Sequence, residues 1–212
     1  MNLTEMRAMV RRDLKDEDAT NYRWTDGELE RHSAHALSEL SEASPLEAIE
    51  TVATTAGSRD LDISGLSPPG RIILQAVEYP IDKFPKQYQR FSLWADILTF
   101  LGDYVPDGGN ARIYYGKLHT LDAQTSTIPA RLENLLAVGV EGFACLEWAS
   151  FSINKVNVGG TATAQEFEAV GQARLDYFRK ELKRLGRNSR IRMTRLYSPA
   201  VPIASKTTDY GP

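Results

Sequence analysis

One stretch of the sequence, from Pro129 to Val158, constrains the fold more than any other. Its large apolar residues recur near the 3.6-residue period of an α-helix, and alanine and glycine fill most positions between them. Pro129 suits a first helical turn and Gly159-Gly160 supplies a stop, so we expect one helix about 45 Å long. The large apolar residues are Leu132, Leu135, Leu136, Phe143, Leu146, Trp148, Ile153 and Val156.

Charged residues within this stretch argue against a membrane span. They are Arg131, Glu133, Glu141, Glu147 and Lys155. The apolar surface of the helix must then pack against protein, either the rest of this chain or a neighbouring copy. The N-terminus lacks the basic and apolar regions of a signal peptide, so secretion is not indicated. Because Cys145 is the only cysteine, no intrachain disulfide can form, and we expect it to pack as a small apolar residue.

Two helices with well-marked beginnings open the chain. Asn2 and Glu5 form a plausible N-terminal cap for a helix whose apolar stripe is Leu3, Met6, Val10 and Leu14. In the next helix, Thr25 and Glu28 have the spacing of a capping box. Trp24 precedes that box and can pack on Leu29 as a hydrophobic staple. Ser44-Pro45 ends this helix.

Between Pro45 and Thr120 the apolar residues alternate, which predicts strands of an antiparallel sheet. The predicted strands are Thr51 to Thr54, Asp60 to Ser64, Ile72 to Tyr79, Gln89 to Trp94, Ile97 to Leu101 and Ala111 to Leu118. The predicted hairpin connections are Ala56-Gly57-Ser58, Ala95-Asp96 and Asp107-Gly108-Gly109-Asn110, of which Ala95-Asp96 has the least conventional chemistry. Ser67-Pro68-Pro69-Gly70 and Tyr79 to Pro85 are too proline-rich for strands and are predicted loops.

A last helix is predicted to start at Thr161 or Thr163, to run to about Leu185 and to end at Gly186. The tail from Arg187 to Pro212 has no periodicity but keeps apolar anchors. The predicted fold is therefore α+β. A helical bundle built from both chain ends, residues 1–45 and 121–186, carries an inserted antiparallel β region, residues 46–120. An extended C-terminal arm, residues 187–212, completes it.

Charge is distributed unevenly along the chain. Nine Lys or Arg residues lie between Arg174 and Arg195 against Asp176 and Glu181, a net charge of +7, whereas the whole chain carries −3. This segment is compatible with phosphate binding by a nucleic-acid-binding module. Aromatic residues among these cations are sparse and base-reading motifs are absent, which favours a solvated helix face leading into a basic docking arm.

Catalytic and metal-binding patterns are weak. His32 and His35 are three residues apart, without a third ligand at helical spacing, so packed or surface histidines are expected. Gly108-Gly109 lacks the downstream residues of a phosphate loop. Asp13, Asp16, Glu17 and Asp18 resemble a calcium loop in charge alone, because its glycine and terminal glutamate are missing. We expect no catalytic residues, no metal and no cofactor.

The order of elements resembles the head-to-tail adaptor, or connector, proteins of tailed bacteriophages. The opening Tyr22-Arg23-Trp24-Thr25-Asp26-Gly27-Glu28-Leu29 carries most of this resemblance. The segments 88–94, Tyr-Gln-Arg-Phe-Ser-Leu-Trp, and 113–121, Ile-Tyr-Tyr-Gly-Lys-Leu-His-Thr-Leu, are also similar to phage neck sequences. The large β insertion departs from the smaller, nearly all-helical adaptors.

The resemblance implies a structural virion protein without an active site. Its copies, commonly twelve, would form a ring between the portal and the next neck or tail component, and genomic DNA would pass through the centre. The protein would be in the host cytoplasm during assembly and at the virion neck afterwards, with no membrane partner. We expect the arm to bind the portal or an adjacent subunit through Arg187, Arg190, Arg192, Arg195, Leu196, Tyr197, Val201 and Ile203. Channel-lining candidates are Asp13, Asp16, Glu17 and Asp18, because an acidic lining would not grip phosphates.

Overall fold

The secondary structure is known from a computed structural model of the 212-residue chain, which describes residues 1–66, 71–102, 105–152 and 164–196. The helices are α1 (Leu3–Asp13), α2 (Asp26–Ala43), α3 (Ala130–Ser152) and α4 (Ala164–Leu196). The strands are β1 (Leu46–Ala53), β2 (Asp60–Asp62), β3 (Arg71–Glu78), β4 (Tyr88–Gln89), β5 (Phe91–Trp94), β6 (Ile97–Phe100) and β7 (Asn110–Lys117). The fold is α+β, as predicted.

The chain divides into two compact units. A helical unit contains Met1–Leu46 and Lys117–Gly186, and a β unit contains Glu47–Gly116 together with Arg187–Pro212. Each unit has its own buried apolar cluster. The β region is therefore able to form a core of its own between the two parts of the sequence that build the helices.

Reciprocal hydrogen bonds fix where α1 and α2 begin. At α1, the Asn2 side chain accepts from the Glu5 N–H and the Glu5 carboxylate accepts from the Asn2 N–H, both at 2.9 Å. At α2, the Thr25 hydroxyl accepts from the Glu28 N–H at 3.3 Å, and the Glu28 carboxylate accepts from the Thr25 N–H at 2.7 Å. Each pair satisfies two backbone donors that have no partner within the helix. Both predicted capping boxes are confirmed.

Helix α3 supplies the central surface of the helical unit, where side chains from all four helices form one buried cluster. This confirms the prediction that helices from both ends of the chain form a single bundle. Trp24, just before α2, is 1% exposed within the cluster, and its indole N–H donates to the Ala144 carbonyl oxygen at 3.0 Å. Other members are Met6, Val10, Leu29, Ala36, Leu40, Leu132, Leu136, Val140, Leu175, Phe178 and Leu182.

Three glycines let α3 and α4 approach each other closely. A Cβ atom added at Gly142 would lie 2.8 Å from Cγ of Leu175 and 3.2 Å from the Gly171 carbonyl oxygen. A Cβ atom at Gly139 would lie 3.0 Å from the Phe178 ring, which is fully buried. The seam between these helices therefore has no room for one additional methyl group at either position.

Helix α4 does not end at Gly186, which corrects the predicted arm. The helix continues to Leu196, so the first ten residues of the segment predicted to be extended are helical. Gly186 does not adopt the positive φ that ends many helices. A helical glycine costs only about 1 kcal/mol relative to alanine, and the helix-forming residues around Gly186 offset that cost. The predicted helix start at Thr161 or Thr163 and the predicted end of α3 at Gly159-Gly160 lie outside the described residues.

The strands of the β unit form two sheets instead of the single predicted sheet. The strand orders are β1-β7-β3-β4 and β2-β6-β5. Ala95-Asp96 closes a hairpin in which Trp94 pairs with Ile97, and Ala95 has a φ of 52°. The other two predicted hairpin connections are wrong, because Ala56-Gly57-Ser58 and Asp107-Gly108-Gly109-Asn110 each join strands of different sheets. Turn residues show where the chain bends but not which strand it pairs with next.

The strand positions themselves agree closely with the predicted ones. The exceptions are β1, which begins five residues before the predicted strand, and the segment from Gln89 to Trp94, which Arg90 interrupts between β4 and β5. In β1, the apolar Ile49 is 62% exposed, whereas its polar neighbour Glu50 is half-buried and accepts from the Tyr115 hydroxyl. Apolar residues therefore do not mark the inward-facing positions of this strand, and the sequence pattern did not reveal where it begins. Tyr79 to Pro85 is a loop, as predicted. The predicted loop Ser67-Pro68-Pro69-Gly70 lies outside the described residues.

We predict that Gly142→Ala lowers the free energy of unfolding by about 1 to 3 kcal/mol, because the new methyl group overlaps Leu175. The matched control is Gly27→Ala in α2, where an added Cβ meets nothing within 4 Å. That change should leave stability unchanged or raise it by up to about 1 kcal/mol. Urea unfolding of both variants measures the difference. Equal midpoints for the two would show that the glycine seam is not tightly packed.

Candidate assembly surfaces

The basic arm begins within α4. Arg187 is exposed, and Arg190, Arg192, Arg195 and Leu196 belong to the helix. Among the predicted docking residues, Tyr197, Val201 and Ile203 lie outside the described residues. The last part of the helix, residues 187–196, contains four arginines and no acidic residue. The docking role assigned to these residues stays a prediction.

The four predicted channel-lining carboxylates have different surroundings. Asp16 does not fit that role, because it is 7% exposed and forms a 2.7 Å ion pair with Arg11. Its carboxylate also accepts from the Arg23 N–H at 2.7 Å. Asp16 therefore holds the loop between α1 and α2 in place and cannot face DNA. Sequence reasoning counted its charge but could not detect its burial.

The other three carboxylates, Asp13, Glu17 and Asp18, are exposed. Asp18 accepts from both the hydroxyl and the N–H of Thr20, and these bonds hold the pKa of its carboxyl below the ordinary value. Asp18 is consequently ionised at the surface near neutral pH. All three side chains are open to solvent.

A cleft of about 370 Å³ lies within the helical unit, beside Asp13 at the end of α1. Its polar side includes Arg174, whose guanidinium lies 2.6 Å from the carboxylate of Glu141 on α3. Glu141 is 3% exposed. The remaining lining residues are Leu14, Cys145, Glu166, Phe167 and Val170. Sequence reasoning noticed Glu141 only as a charge in an apolar helix, because its partner is thirty-three residues away.

Burial controls the proton affinities in this cleft. Desolvation, together with a hydrogen bond to Asp13, raises the pKa of Glu141 to about 7 despite the opposing attraction of Arg174. Burial also raises the pKa of the Cys145 thiol, so little thiolate forms at neutral pH. The cleft thus combines a proton-binding carboxyl with an unreactive thiol, which is not the arrangement of a cysteine nucleophile.

The two histidines of α2 pack against α3. His32 is 7% exposed and its Nε2 lies 2.5 Å from the Glu147 carboxylate. His35 is more exposed and stacks on Phe143 with ring centroids 4.2 Å apart. Across the described ranges, no group of three or more His, Cys, Asp or Glu residues is arranged to hold a metal ion.

A buried carboxylate in the β unit was not predicted. Glu78, at the end of β3, is 1% exposed and accepts from the Tyr114 hydroxyl at 2.5 Å. Lys86 and Arg112 lie 3.4 Å from the same carboxylate oxygen. Burial raises the pKa of Glu78, but the hydrogen bond from Tyr114 and the two cations outweigh burial and lower it. This cluster ties the loop after β3 to β7. It is a structural contact whose partners come from three separate parts of the sequence.

Both units expose large apolar side chains outside their cores. In the helical unit these are Tyr22, Leu118, Phe151, Val170 and Tyr177. In the β unit they are Ile49, Ile73, Phe84, Leu93, Trp94, Ile97, Leu101 and Val105, with Phe84 99% exposed and Trp94 87% exposed. Single exposed apolar residues are common on soluble proteins, but exposed aromatic residues in such numbers are typical of surfaces that contact other proteins.

Helix α3 is long and apolar enough to cross a membrane by length and composition alone. Half of its most apolar window is buried inside the protein. Leu132, Leu136 and Val140 pack into the helical core, and Glu141 carries a buried ion pair. We therefore interpret α3 as the core helix of the bundle.

Comparison of the sequence with protein-family models and with curated proteins found no match.

We predict that the chain loses stability as pH rises through about 7, because of Glu141. Its folded pKa lies above the ordinary value of 4.5, so the folded state binds this proton more tightly than the unfolded state does. The resulting stabilisation is fully present below pH 4.5 and is lost as pH rises through 7. It amounts to at most about 3 to 4 kcal/mol, at about 1.4 kcal/mol per pH unit over the shift from 4.5 to about 7.

Glu141→Gln should flatten the pH dependence of unfolding between pH 4.5 and 8, since the amide does not titrate. Urea unfolding at several pH values measures it. Glu168→Gln, at an exposed position of α4, is the control and should keep the wild-type slope. A Glu141→Gln chain with an unchanged slope would show that this carboxyl titrates normally.

Proposed function

We propose that this chain is a structural virion protein whose copies form a ring joining the portal of a phage head to the next neck or tail component. The observation that carries the proposal is that two units, each with its own buried core, both expose large apolar side chains. A subunit in a ring must contact neighbours on more than one surface. The resemblance of the segment from Tyr22 to Leu29 to phage adaptors supports the specific assignment.

The packing of the helical unit and the length of α4 are compatible with this role. Trp24, the most distinctive residue of that segment, is a core residue, so the motif specifies packing and no chemistry. Helix α4 runs ten residues past Gly186, about 15 Å at the rise of an α-helix. This last part of the helix contains four arginines of the arm, which can pair with carboxylates on the portal or on an adjacent subunit.

Deleting Ser198–Pro212 should abolish attachment to portal-containing heads while leaving the melting temperature nearly unchanged. The deleted residues follow the described end of α4, so the apolar cores of both units remain. Co-sedimentation of the purified protein with heads measures attachment, and Gly27→Ala, with its arm intact, is the control. If the truncated chain still binds heads with undiminished affinity, the arm is not the docking element.

A nucleic-acid-binding module that uses Arg174–Arg195 is the alternative function. The structure reduces the cations available to phosphate, because Arg174 pairs with Glu141, Arg179 with Glu39 and Arg184 with Glu181. Asp13, Glu17 and Asp18 add exposed negative charge elsewhere in the helical unit. A ring with an acidic lining would let DNA pass without binding it.

Fluorescence anisotropy with labelled duplex DNA distinguishes the two functions. The adaptor proposal predicts no saturable binding at about 150 mM salt. Micromolar affinity that falls steeply between about 50 and 200 mM salt, with the log of the binding constant linear in the log of the salt concentration, would favour the alternative. Replacing Arg187 and Arg190 by glutamine would then have to weaken that binding.

A further inference from the structure

The solvent side of the sheet β2-β6-β5 carries an apolar patch beside two carboxylates. Strand pairing places Asp62, Ile97 and Trp94 in one row across the sheet. The next row on the same side contains Asp60, Thr99 and Ser92. We call these six residues the Trp94 face. Leu61 and Leu98, which point to the opposite side, are 3% and 0% exposed and belong to the β core.

No part of the chain that the structure describes covers the Trp94 face, which is negatively charged. Trp94 is 87% exposed, Ile97 is 41% exposed, and Asp60 and Asp62 are both exposed. Asp60 accepts from the Thr99 hydroxyl at 2.6 Å, and Asp62 accepts from the Ser64 N–H at 2.8 Å. The second hydrogen bond lowers the pKa of Asp62, which stays ionised. None of the six residues is a cation.

The C-terminal arm has the complementary chemistry. Arg187–Pro212 contains four arginines and one lysine against one aspartate. Within it, Pro199 and Pro202 are separated by two residues and follow Arg195 and Tyr197. Segments with prolines at this spacing bind exposed aromatic side chains, because little conformational entropy is lost when they become ordered. A neighbouring cation that meets carboxylates orients such a segment.

We propose that the Trp94 face of one subunit binds residues 195–203 of a second copy of this chain. Pro199 and Pro202 pack on Trp94 and Ile97, and Arg195 reaches Asp62 on the edge strand β2, on the same face of the sheet. The dimensions agree: two strand spacings are about 9.6 Å, and the three residue steps from Leu196, the last described residue of α4, to Pro199 span about 9 Å in an extended proline-type conformation. The proposal rests on the ring function, because an arm that meets a different surface on its neighbour is the contact that repeats around a ring.

The first test measures binding of a labelled synthetic peptide, residues 187–212, to the chain ending at Leu196, by fluorescence anisotropy. We expect saturable binding that Trp94→Ala weakens at least about tenfold, as for a central aromatic contact. The double change Asp60→Asn with Asp62→Asn should weaken it severalfold and reduce its salt dependence. Phe84→Ala, which removes an equally exposed aromatic residue outside this face, should have no effect.

A scrambled peptide of the same composition should bind at least about tenfold more weakly. Two results would overturn the proposal: no saturable binding of the native peptide, or equal affinity for the Trp94→Ala chain. Equal binding of the scrambled peptide would also overturn it, because charge alone would then explain the contact. Melting temperatures of all variants show whether each one is folded.

A second test decides whether the arm binds a different copy. A full-length Trp94→Ala chain offers only an arm, and the chain ending at Leu196 offers only a Trp94 face. Sedimentation of the mixture should show a 1:1 complex that neither protein forms alone. Peptide binding without this complex would place the arm on its own chain and overturn the proposal. Failure of heads to bind the wild-type protein, with the complex intact, would contradict the ring function and leave the contact itself standing.

Discussion

Burial of the Trp24 indole is the interaction on which the helical unit depends. Trp24 lies 5.8 Å from Trp148 on α3 and 6.4 Å from Phe167 on α4, between ring centroids, and its N–H donates to Ala144. Arg23 lies over the rings of Trp148 and Phe167, at 5.2 and 5.0 Å. One side chain thus joins the start of α2 to both C-terminal helices, so the two ends of the chain must fold together.

The short connection between α1 and α2 holds that indole in position. The buried Arg11 guanidinium bonds Asp16, Asp26 and the Trp24 carbonyl oxygen. A buried charge is stable only when paired and hydrogen-bonded, and here each bond also restrains the loop. The charged side chains of Arg11, Asp16 and Asp26 therefore fix the start of α2. Of the four carboxylates predicted to line the channel, only the exposed Asp13, Glu17 and Asp18 are accessible to other molecules.

Local chemistry made much of this fold predictable. Capping residues at Asn2 and Thr25 act within four residues, and alternation in the β region acts within one strand, so both are visible in sequence. The pairing of Glu141 with Arg174, the separation of the strands into two sheets and the continuation of α4 past Gly186 depend on distant contacts. For the same reason, sequence reasoning identified the charge of Asp16 but not its burial.

The residues that stabilise the fold and the residues exposed for contacts with other molecules lie in different places. Tight glycine packing and buried ion pairs lie inside the helical unit, whereas the exposed aromatic residues lie outside both cores. Changes to the outer surfaces can therefore alter assembly without unfolding either unit. This arrangement suits a subunit that folds first and is assembled later.

Native mass spectrometry of the full-length protein mixed with purified portal tests the central claim most directly. If the chain is a ring-forming adaptor, the mixture contains one complex in which a fixed number of copies, commonly twelve, is bound to each portal ring. The protein alone can remain monomeric under the same conditions. A mixture in which portal and protein keep their separate masses at all ratios would contradict the account.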